Sequence, residues 1–357
     1  MRQQRLEKVL ALFDTVQLDA CLLKGMDNIF YLTGFRGSEG TLLVTKGDVV
    51  LLTDFRYLTF AREVTQGIKI VELRNQQNIL GDLCKQYGIR RIGFDSMHTP
   101  FFVYKKWSEA LENVALIPFD TIIENIRKNK EPEEIDRILK AIDVATQAFA
   151  EVFEGIRPGQ TEREVANKLD YTMRRLGAEG PSFPTIVASG PRAALPHADP
   201  TEKKIQEGEM VIIDFGAKVD GYCSDETCTL SVGDVNGKMH DVFAVVNDAK
   251  QLALGTVRAG MPIRDLDDLV RGYIHKNGYG EYFRHGTGHG VGIAVHEAPA
   301  INSTGEGILE PGMVITIEPG VYIPHLGGVR LEDMVLITAS APRMLTVIRK
   351  DELRIRV

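Results

Sequence analysis

The stretch VIIDFGAKVDGYCSDETCTL, residues 211–230, decides the fold. Two strand-like segments flank an Asp-Gly pair at residues 220–221, which is typical of a tight β-hairpin turn. Pairing the strands about this turn places Asp214 approximately opposite Thr227. Side chains alternate along a strand, so Asp225 shares the face of Thr227 and is a diagonal neighbour of Asp214. The stretch therefore predicts two carboxylates within reach of one metal ion or a pair.

The ordinary alternative is a surface hairpin that carries two aspartates. Asp214 follows three apolar residues, 211–213, and precedes Phe215, so exposure to solvent is the weaker explanation. Buried carboxylates that lie together are strongly disfavoured unless a cation compensates their charge. We therefore interpret the hairpin as part of a metal site.

A second pair of acids lies in MVITIEPGVYIPHLGGVRLEDMVLIT, residues 313–338. Glu318 and Glu332 each fall in the middle of an apolar strand pattern, and a turn rich in Pro and Gly joins the two strands. The two acids are predicted to face each other across the ladder. The alternative is a salt bridge from one of them to Arg330, which we expect to pair here as a support that orients a ligand.

The segment RHGTGHGVGIAVHEAP, residues 284–299, is rich in histidine. It holds His285, His289 and His296, interleaved with glycines that let the backbone pass close to a ligand or metal. A lone histidine is more often an ordinary packed or surface residue, but this density favours chemistry. His197 lies in PHADP, ahead of the hairpin. By itself it is equally compatible with an ordinary residue and with a residue of the site.

Four carboxylates and one imidazole form a hard donor set, which suits Mn, Co, Fe or Zn better than a structural zinc site lined by thiolates. The number of acids indicates a pair of ions, and a metal pair that shares a bridging water is a hydrolytic device. The sequence therefore predicts a metallohydrolase. The predicted ligands are Asp214, Asp225, His289, Glu318 and Glu332.

Length and composition agree with this prediction. At 357 residues the chain exceeds one ordinary domain, so two domains are expected. The net charge of −7 and the pI near 5.7 give no general electrostatic reason to bind nucleic acid or an anionic membrane. The chain shows neither the apolar core of a signal peptide nor a run long enough to span a membrane. Four cysteines without disulfide-framework spacing indicate reduced thiols and a cytoplasmic location.

The layout along the chain predicts two domains of different kinds. Residues 1–125 alternate helix-like and strand-like stretches, which predicts an α/β unit with a central sheet. A charged boundary near Ile126 precedes a long helix that begins at Glu131 to Glu134, where acids favour the positive end of the helix dipole. From there to residue 357 the pattern predicts helices, then sheet, then helices, then sheet.

The quoted motifs give the chain a specific resemblance to the creatinase/aminopeptidase, or pita-bread, metallopeptidases, and within them to the Xaa-Pro peptidases, aminopeptidase P and prolidase. The resemblance spans nearly the whole chain. It implies an α/β amino-terminal domain over residues 1–125 and an α+β pita-bread catalytic domain over residues 126–357. Methionine aminopeptidases, by contrast, lack such an amino-terminal domain. The matching stretches are NIFYLTGFRGS, PHADP, VIIDFGAKVDGYCSDET, HGTGHGVGIAVHEAP, LEPGMVITIEPGVYI and GGVRLED.

The resemblance implies a role for each predicted ligand. Asp214 would hold one ion, and Asp225 and Glu332 would bridge both. His289 and Glu318 would complete the second ion. Mn²⁺ is the usual activating metal of such relatives, with Co²⁺ or Zn²⁺ as substitutes. The two cations would lower the pKa of a shared water that attacks the scissile carbonyl, and Glu318 would carry its proton.

The resemblance also implies roles for residues around the metals. His296 and His197 would bind the substrate carbonyl and stabilise the tetrahedral oxyanion. His285, Arg330 and Tyr322 would shape the proline side of the pocket and support the ligands.

Two positions depart from the pattern of the relatives. Relatives often carry arginine where this chain has Cys228, but alternation turns this residue away from the metals, so we expect altered packing rather than lost catalysis. Some dipeptide-cleaving relatives carry an arginine directly after the His-Glu-Xaa-Pro motif, placed to grip the free carboxylate. Ala300 occupies that position here, which favours longer peptides.

The leading hypothesis is an enzyme like aminopeptidase P, which removes an N-terminal residue that precedes proline in a peptide substrate. The alternative is prolidase, an Xaa-Pro dipeptidase. A creatinase-like amidinohydrolase or a non-catalytic binding protein is less favoured, because all five ligands are present. The resemblance also implies a homodimer whose amino-terminal domain, near Tyr31 and Phe35, closes over a neighbouring active site.

Overall fold

The structure is a computed structural model that describes residues 2–73, 76–111, 113–351 and 353–355. The chain divides into two compact units, Met1–Arg127 and Lys128–Val357. Within the described ranges, no helix is both long enough and apolar enough to cross a membrane.

The amino-terminal unit is an α/β structure with one six-stranded sheet. The sheet contains β1 (Ala20–Leu23), β2 (Thr41–Thr45), β3 (Val49–Thr53), β4 (Lys69–Glu72), β5 (Arg91–Phe94) and β6 (Ala115–Pro118). The strand order is β4-β3-β2-β1-β5-β6, with β1, β2 and β3 antiparallel and the remaining pairs parallel. The helices are α1 (Arg2–Val16), α2 (Met26–Thr33), α3 (Leu58–Val64), α4 (Gln76–Tyr87), α5 (Phe101–Ala110) and α6 (Ile122–Arg127).

The carboxy-terminal unit contains the long helix α7 (Pro132–Phe153) and α8 (Glu162–Arg175), followed later by α9 (Gly237–Thr256) and α10 (Ile263–Lys276). Both early helices begin with a capping box. Helix α9 is capped by Asn236, whose side chain accepts a hydrogen bond from Met239 N at 3.0 Å.

The predicted site residues of the carboxy-terminal unit lie on or between the strands of several small sheets. The strands are β7 (Gly180–Pro181), β8 (Ile186–Ser189), β9 (Met210–Phe215), β10 (Ala217–Val219), β11 (Tyr222–Cys223), β12 (Glu226–Val232), β13 (Gly288–Gly290), β14 (Glu297–Ile301), β15 (Val314–Ile317), β16 (Gly320–Ile323), β17 (Gly327–Arg330), β18 (Asp333–Leu336), β19 (Arg343–Met344) and β20 (Arg354–Ile355). The order in one sheet is β20-β12-β9-β8, and in a second β14-β13-β15-β18-β19. A third has the order β11-β10-β7, and β16 pairs with β17.

The predicted register of the first hairpin is confirmed. Strands β9 and β12 are antiparallel, and Asp214 pairs with Thr227. The turn residues Asp220 and Gly221 have φ values of 50° and 80°, the left-handed conformation of a tight hairpin turn. The strands break at Gly216, where a Cβ atom would lie 1.9 Å from the carbonyl oxygen of Ser224. This close approach brings the end of β9 next to the segment that leads into β12.

The expectation that Glu318 and Glu332 lie in the middle of two strands is wrong. Glu318 follows the last residue of β15, and Glu332 precedes the first residue of β18. Ile317 pairs with Asp333, so the two acids lie at the same end of this ladder. Beyond them, β16 and β17 form a separate two-stranded sheet, which begins after Pro319. Proline cannot donate to a ladder, and its position explains why one long hairpin becomes two short ones.

Candidate metal centre

The predicted site residues gather around one cavity of about 480 Å³ in the carboxy-terminal unit. His197, His285, His296 and Arg330 line the cavity together with all five predicted ligands. Tyr322 contacts this lining, because its hydroxyl donates a hydrogen bond to His285 Nε2 over 2.9 Å. The fold therefore brings together residues from four separate segments of the sequence.

Carboxylate and imidazole donors lie close enough together to hold metal ions. One group contains Asp214, Asp225 and Glu332, whose ligand atoms lie within 4.8 Å of one another. A second group of the same spacing contains Glu332 again, with His289 and Glu318. The cavity thus offers two adjacent donor sets that share one carboxylate, an arrangement suited to a pair of divalent ions.

Asp214 carries an orphaned oxygen that fits a metal ligand. Arg330 Nη2 donates a hydrogen bond of 2.6 Å to Asp214 Oδ2, whereas Oδ1 is buried without a hydrogen-bond partner. A buried carboxylate oxygen is rarely left unpaired, and here it belongs to a donor group of three acids. This oxygen and the hard donor set fit a divalent cation.

The acids in the cavity shift one another's pKa values. Burial, and then the negative charge of Glu332, raise the pKa of Asp225 well above its ordinary value. Burial, and then the charge of Glu318, raise the pKa of Glu332 in the same way. Burial also opposes ionisation of Glu318, but the hydrogen bond and charge of His289 outweigh it and lower the pKa of Glu318 to about 2. A bound cation would favour the ionised form of all three acids.

His289 presents one ring nitrogen to the acids. Its Nδ1–H donates to the carbonyl of Gly290 over 3.0 Å, which leaves Nε2 facing Glu318 Oε1 at 3.3 Å and Asp225 Oδ2 at 3.6 Å. A backbone carbonyl that fixes the tautomer in this way is the usual support of a metal-binding histidine. The ring of His296 lies 4.3 Å from that of His289, centroid to centroid, and can join the same donor cluster.

A chain of hydrogen bonds supports one wall of the cavity. Arg330 Nη1 donates to the Tyr322 hydroxyl over 2.8 Å, and Tyr322 in turn donates to His285. Burial raises the pKa of Tyr322 to about 12, so its hydroxyl keeps the proton that it donates. Burial lowers the pKa of His285, which favours the neutral imidazole whose Nε2 accepts this hydrogen bond. Arg330 thus donates to a predicted ligand and to Tyr322, and its partner among the acids is Asp214 rather than Glu318 or Glu332.

Two family descriptions match this chain. Residues 136–339 match Metallopeptidase family M24, and residues 5–128 match the Creatinase/Prolidase N-terminal domain. The chain belongs to metallopeptidase family M24. The predicted fold class, an α/β amino-terminal domain with a pita-bread catalytic domain, is thereby confirmed, as is the resemblance to the Xaa-Pro peptidase branch.

Relatives of this M24 metallopeptidase carry names of the Xaa-Pro peptidases. An "Xaa-Pro dipeptidase" of Pyrococcus horikoshii is 36% identical over 344 residues, which cover 96% of this chain and 97% of the relative. The solved structure "Xaa-Pro dipeptidase from Bacillus anthracis" has a TM-score of 0.96 at 37% identity and covers 99% of this chain and 100% of its own.

One solved relative is named for the other activity, that of an aminopeptidase. The "X-Pro aminopeptidase from Thermotoga maritima MSB8" has a TM-score of 0.88 at 34% identity, over 95% of this chain and 98% of its own. Dipeptidase names nevertheless recur among the curated relatives and the solved structures. The comparisons thus support the prolidase alternative better than the aminopeptidase P expectation.

Two threonines belong to the site although no motif of the sequence singles them out. Thr227 Oγ1 accepts from Arg330 Nε at 3.1 Å and donates to Glu332 Oε2 at 2.7 Å. Thr316 Oγ1 accepts from His289 N at 3.0 Å and donates to Glu318 Oε1 at 3.3 Å. Each lies two residues from a predicted ligand, so the alternation of strand side chains could have identified both.

Proposed function

We propose that this protein is an Xaa-Pro dipeptidase, a prolidase that hydrolyses the bond between an N-terminal residue and a C-terminal proline with the help of two divalent metal ions. The observation that carries the proposal is the pair of adjacent donor groups sharing Glu332 in one cavity. The names of the relatives support the dipeptide as substrate.

The proposed ligands divide between the two ions. Asp214 would hold the first ion, His289 and Glu318 would hold the second, and Asp225 and Glu332 would be shared between them. Mn²⁺ is the proposed metal, since hard oxygen donors predominate and one imidazole is present. When bound, such a pair polarises the scissile carbonyl and activates a water for attack on it.

The protein's own groups position the substrate and move protons. Glu318 lines the cavity beside His289, and its carboxylate can accept a proton from the attacking water. His296 and His197 line the cavity and can donate hydrogen bonds to the oxygen that becomes negative during attack. His285 and Tyr322 form the wall proposed to contact the proline ring, while Arg330 fixes Tyr322 and Asp214.

One observation favours the second candidate, an enzyme like aminopeptidase P. A dipeptide needs a cation to hold its terminal carboxylate, and Ala300, which pairs with His289 across β13 and β14, supplies none. Among the described residues that line the cavity, Arg330 is the only lysine or arginine, and it already donates to Asp214, Thr227 and Tyr322. The proposed dipeptidase must therefore hold the carboxylate through the histidines of the cavity or a group outside it.

A matched pair of substrates tests the choice. The rate of release of the N-terminal residue is measured with Mn²⁺ for one Xaa-Pro dipeptide and for the same peptide extended by one residue. Faster cleavage of the dipeptide supports the proposed function. Faster cleavage of the tripeptide identifies the aminopeptidase P activity instead, and the absence of Mn²⁺-dependent release from both contradicts either candidate.

Two further features are proposed. A homodimer is proposed from the resemblance to the Xaa-Pro peptidases alone, and analytical ultracentrifugation would measure the mass of the protein in solution. A cytoplasmic location is proposed from the cysteine spacing, which is not that of a disulfide framework, and Cys21, Cys84, Cys223 and Cys228 are buried.

A further inference from the structure

Four charged side chains lie buried together outside the cavity. Glu226 is 1% exposed, and Lys250, Asp333 and Lys350 are each 3% exposed. None of the four is among the residues that line the cavity. Two lysines face two carboxylates, so the formal charges of this buried quartet cancel.

Lys350 joins the two acids of the quartet. Its Nζ donates to Glu226 Oε1 over 2.5 Å and to Asp333 Oδ1 over 2.6 Å. Lys250 Nζ, on α9, donates to the other oxygen of Asp333 over 2.6 Å. Thr346 Oγ1 adds a hydrogen bond of 2.7 Å to Asp333 Oδ1. One ammonium group therefore links the first residue of β12 to the first residue of β18.

The quartet stands directly behind two proposed bridging ligands. Glu226 follows Asp225 in the sequence, and Asp333 follows Glu332. Successive side chains of an extended segment point to opposite faces, so the pair that Lys350 links lies on the reverse side of the pair that faces the cavity. On the cavity side the same segments are joined by Thr227, whose carbonyl accepts from Glu332 N at 3.1 Å and whose hydroxyl donates to Glu332 Oε2.

Stability alone is a poor explanation for this arrangement. Burying four charges carries a large desolvation cost, and well-packed apolar residues in such places are often equally or more stable. The quartet instead fixes the distance between the two ligand-bearing segments, because the Nζ atom of Lys350 binds one carboxylate from each segment.

We propose that Lys350, acting through Glu226 and Asp333, is a positioning residue that sets the separation of Asp225 and Glu332 for the binding of a pair of divalent cations. This inference rests on the metal pair of the proposed function. Residues that orient metal ligands from behind typically change metal affinity about 10–100-fold when they are replaced.

The sign of the effect separates positioning from simple electrostatics. Removing Lys350 alone makes the surroundings of the cavity more negative and, by charge alone, would tighten the binding of a cation. The double variant Glu226→Gln with Lys350→Met removes one charge of each sign. It deletes the link while leaving the net charge near the cavity unchanged.

The test measures Mn²⁺ binding to protein stripped with a chelator, by titration calorimetry and by electron paramagnetic resonance. The wild-type protein is expected to bind two Mn²⁺ ions that are exchange-coupled. In the double variant, the affinity for the second ion is expected to fall about 10–100-fold, with weaker coupling between the ions. Thr346→Val, which keeps all charges, is expected to shift the affinity in the same direction by a smaller factor, and it serves if the double variant does not fold.

A matched control separates positioning from loss of stability. Val246 lies on the same helix as Lys250 and is fully buried in the core, so Val246→Ala destabilises the unit without touching the quartet. This control is expected to bind Mn²⁺ like the wild type. Wild-type affinity and coupling in the folded double variant, or in Thr346→Val, would overturn the positioning role. A wild-type protein that binds fewer than two ions would overturn the proposed function and this inference with it.

Discussion

Replacing Arg330 by methionine tests the support of the site most sharply. Arg330 is 3% exposed, and its guanidinium donates to Asp214, Thr227 and Tyr322 and to the carbonyl of Pro196. Methionine fills much of the same volume but supplies no donor, so the buried Asp214 carboxylate loses its partner. Breaking a buried ion pair in this way costs about 3–5 kcal/mol.

The expected loss is large enough to measure by thermal unfolding. For a unit of this length a change of about 1 kcal/mol moves the Tm by roughly 2–4 °C, so Arg330→Met is expected to lower the Tm of chelator-treated protein by roughly 6–20 °C. Added Mn²⁺ is expected to recover part of the loss, because a cation at Asp214 replaces the missing positive charge. Arg330→Lys keeps the charge but not the planar fork, and a smaller loss is expected.

A control on the surface makes the result interpretable. Arg349 is largely exposed, and its pair with Asp351 is long at 3.6 Å, so Arg349→Met is expected to leave the Tm almost unchanged. A fall in Tm for Arg330→Met no larger than that of Arg349→Met would refute the reasoning that Asp214 depends on Arg330.

Three further outcomes are expected. Glu332→Ala removes the carboxylate shared by both donor groups. Mn²⁺-dependent peptide hydrolysis should therefore fall below about 1% of wild type, while the circular dichroism spectrum stays that of the folded protein. Retained turnover would contradict the role of Glu332. The pKa values of Asp225 and Glu332 are raised, so these ligands must release protons when the metal binds. The Mn²⁺-induced rise in Tm should therefore be larger at about pH 8 than at about pH 6. A rise in Tm that does not depend on pH would contradict this linkage. Cys228 is fully buried in the core on the side of β12 away from the cavity. Cys228→Ser should therefore lower the free energy of unfolding by about 1–3 kcal/mol, measured by denaturant unfolding, and leave kcat/KM nearly unchanged, measured by steady-state kinetics.

The sequence predicts the first hairpin well because local rules determine it. The Asp220-Gly221 turn sets the register, and the period of two then places Asp214 and Asp225 on one face. The register was therefore accessible from residues 211–230 alone, and the structure has the same pairing.

The second hairpin shows where local rules fail. Glu318 and Glu332 lie at strand ends because the ladder stops before Pro319 and a second, separate sheet begins after it. The pattern of apolar residues continues through this break and does not reveal it. The quartet behind the ligands was equally hidden, since Lys250 and Lys350 come from distant segments and only the packed fold brings them to Asp333.

The most direct measurement of the metal site is the anomalous scattering of Mn²⁺ in a crystal of the protein soaked with MnCl₂. Two anomalous peaks are expected in the cavity, one beside Asp214 and one beside His289, with Asp225 and Glu332 in contact with both ions. A single peak, or peaks that lie away from these side chains, would contradict the assignment of the site.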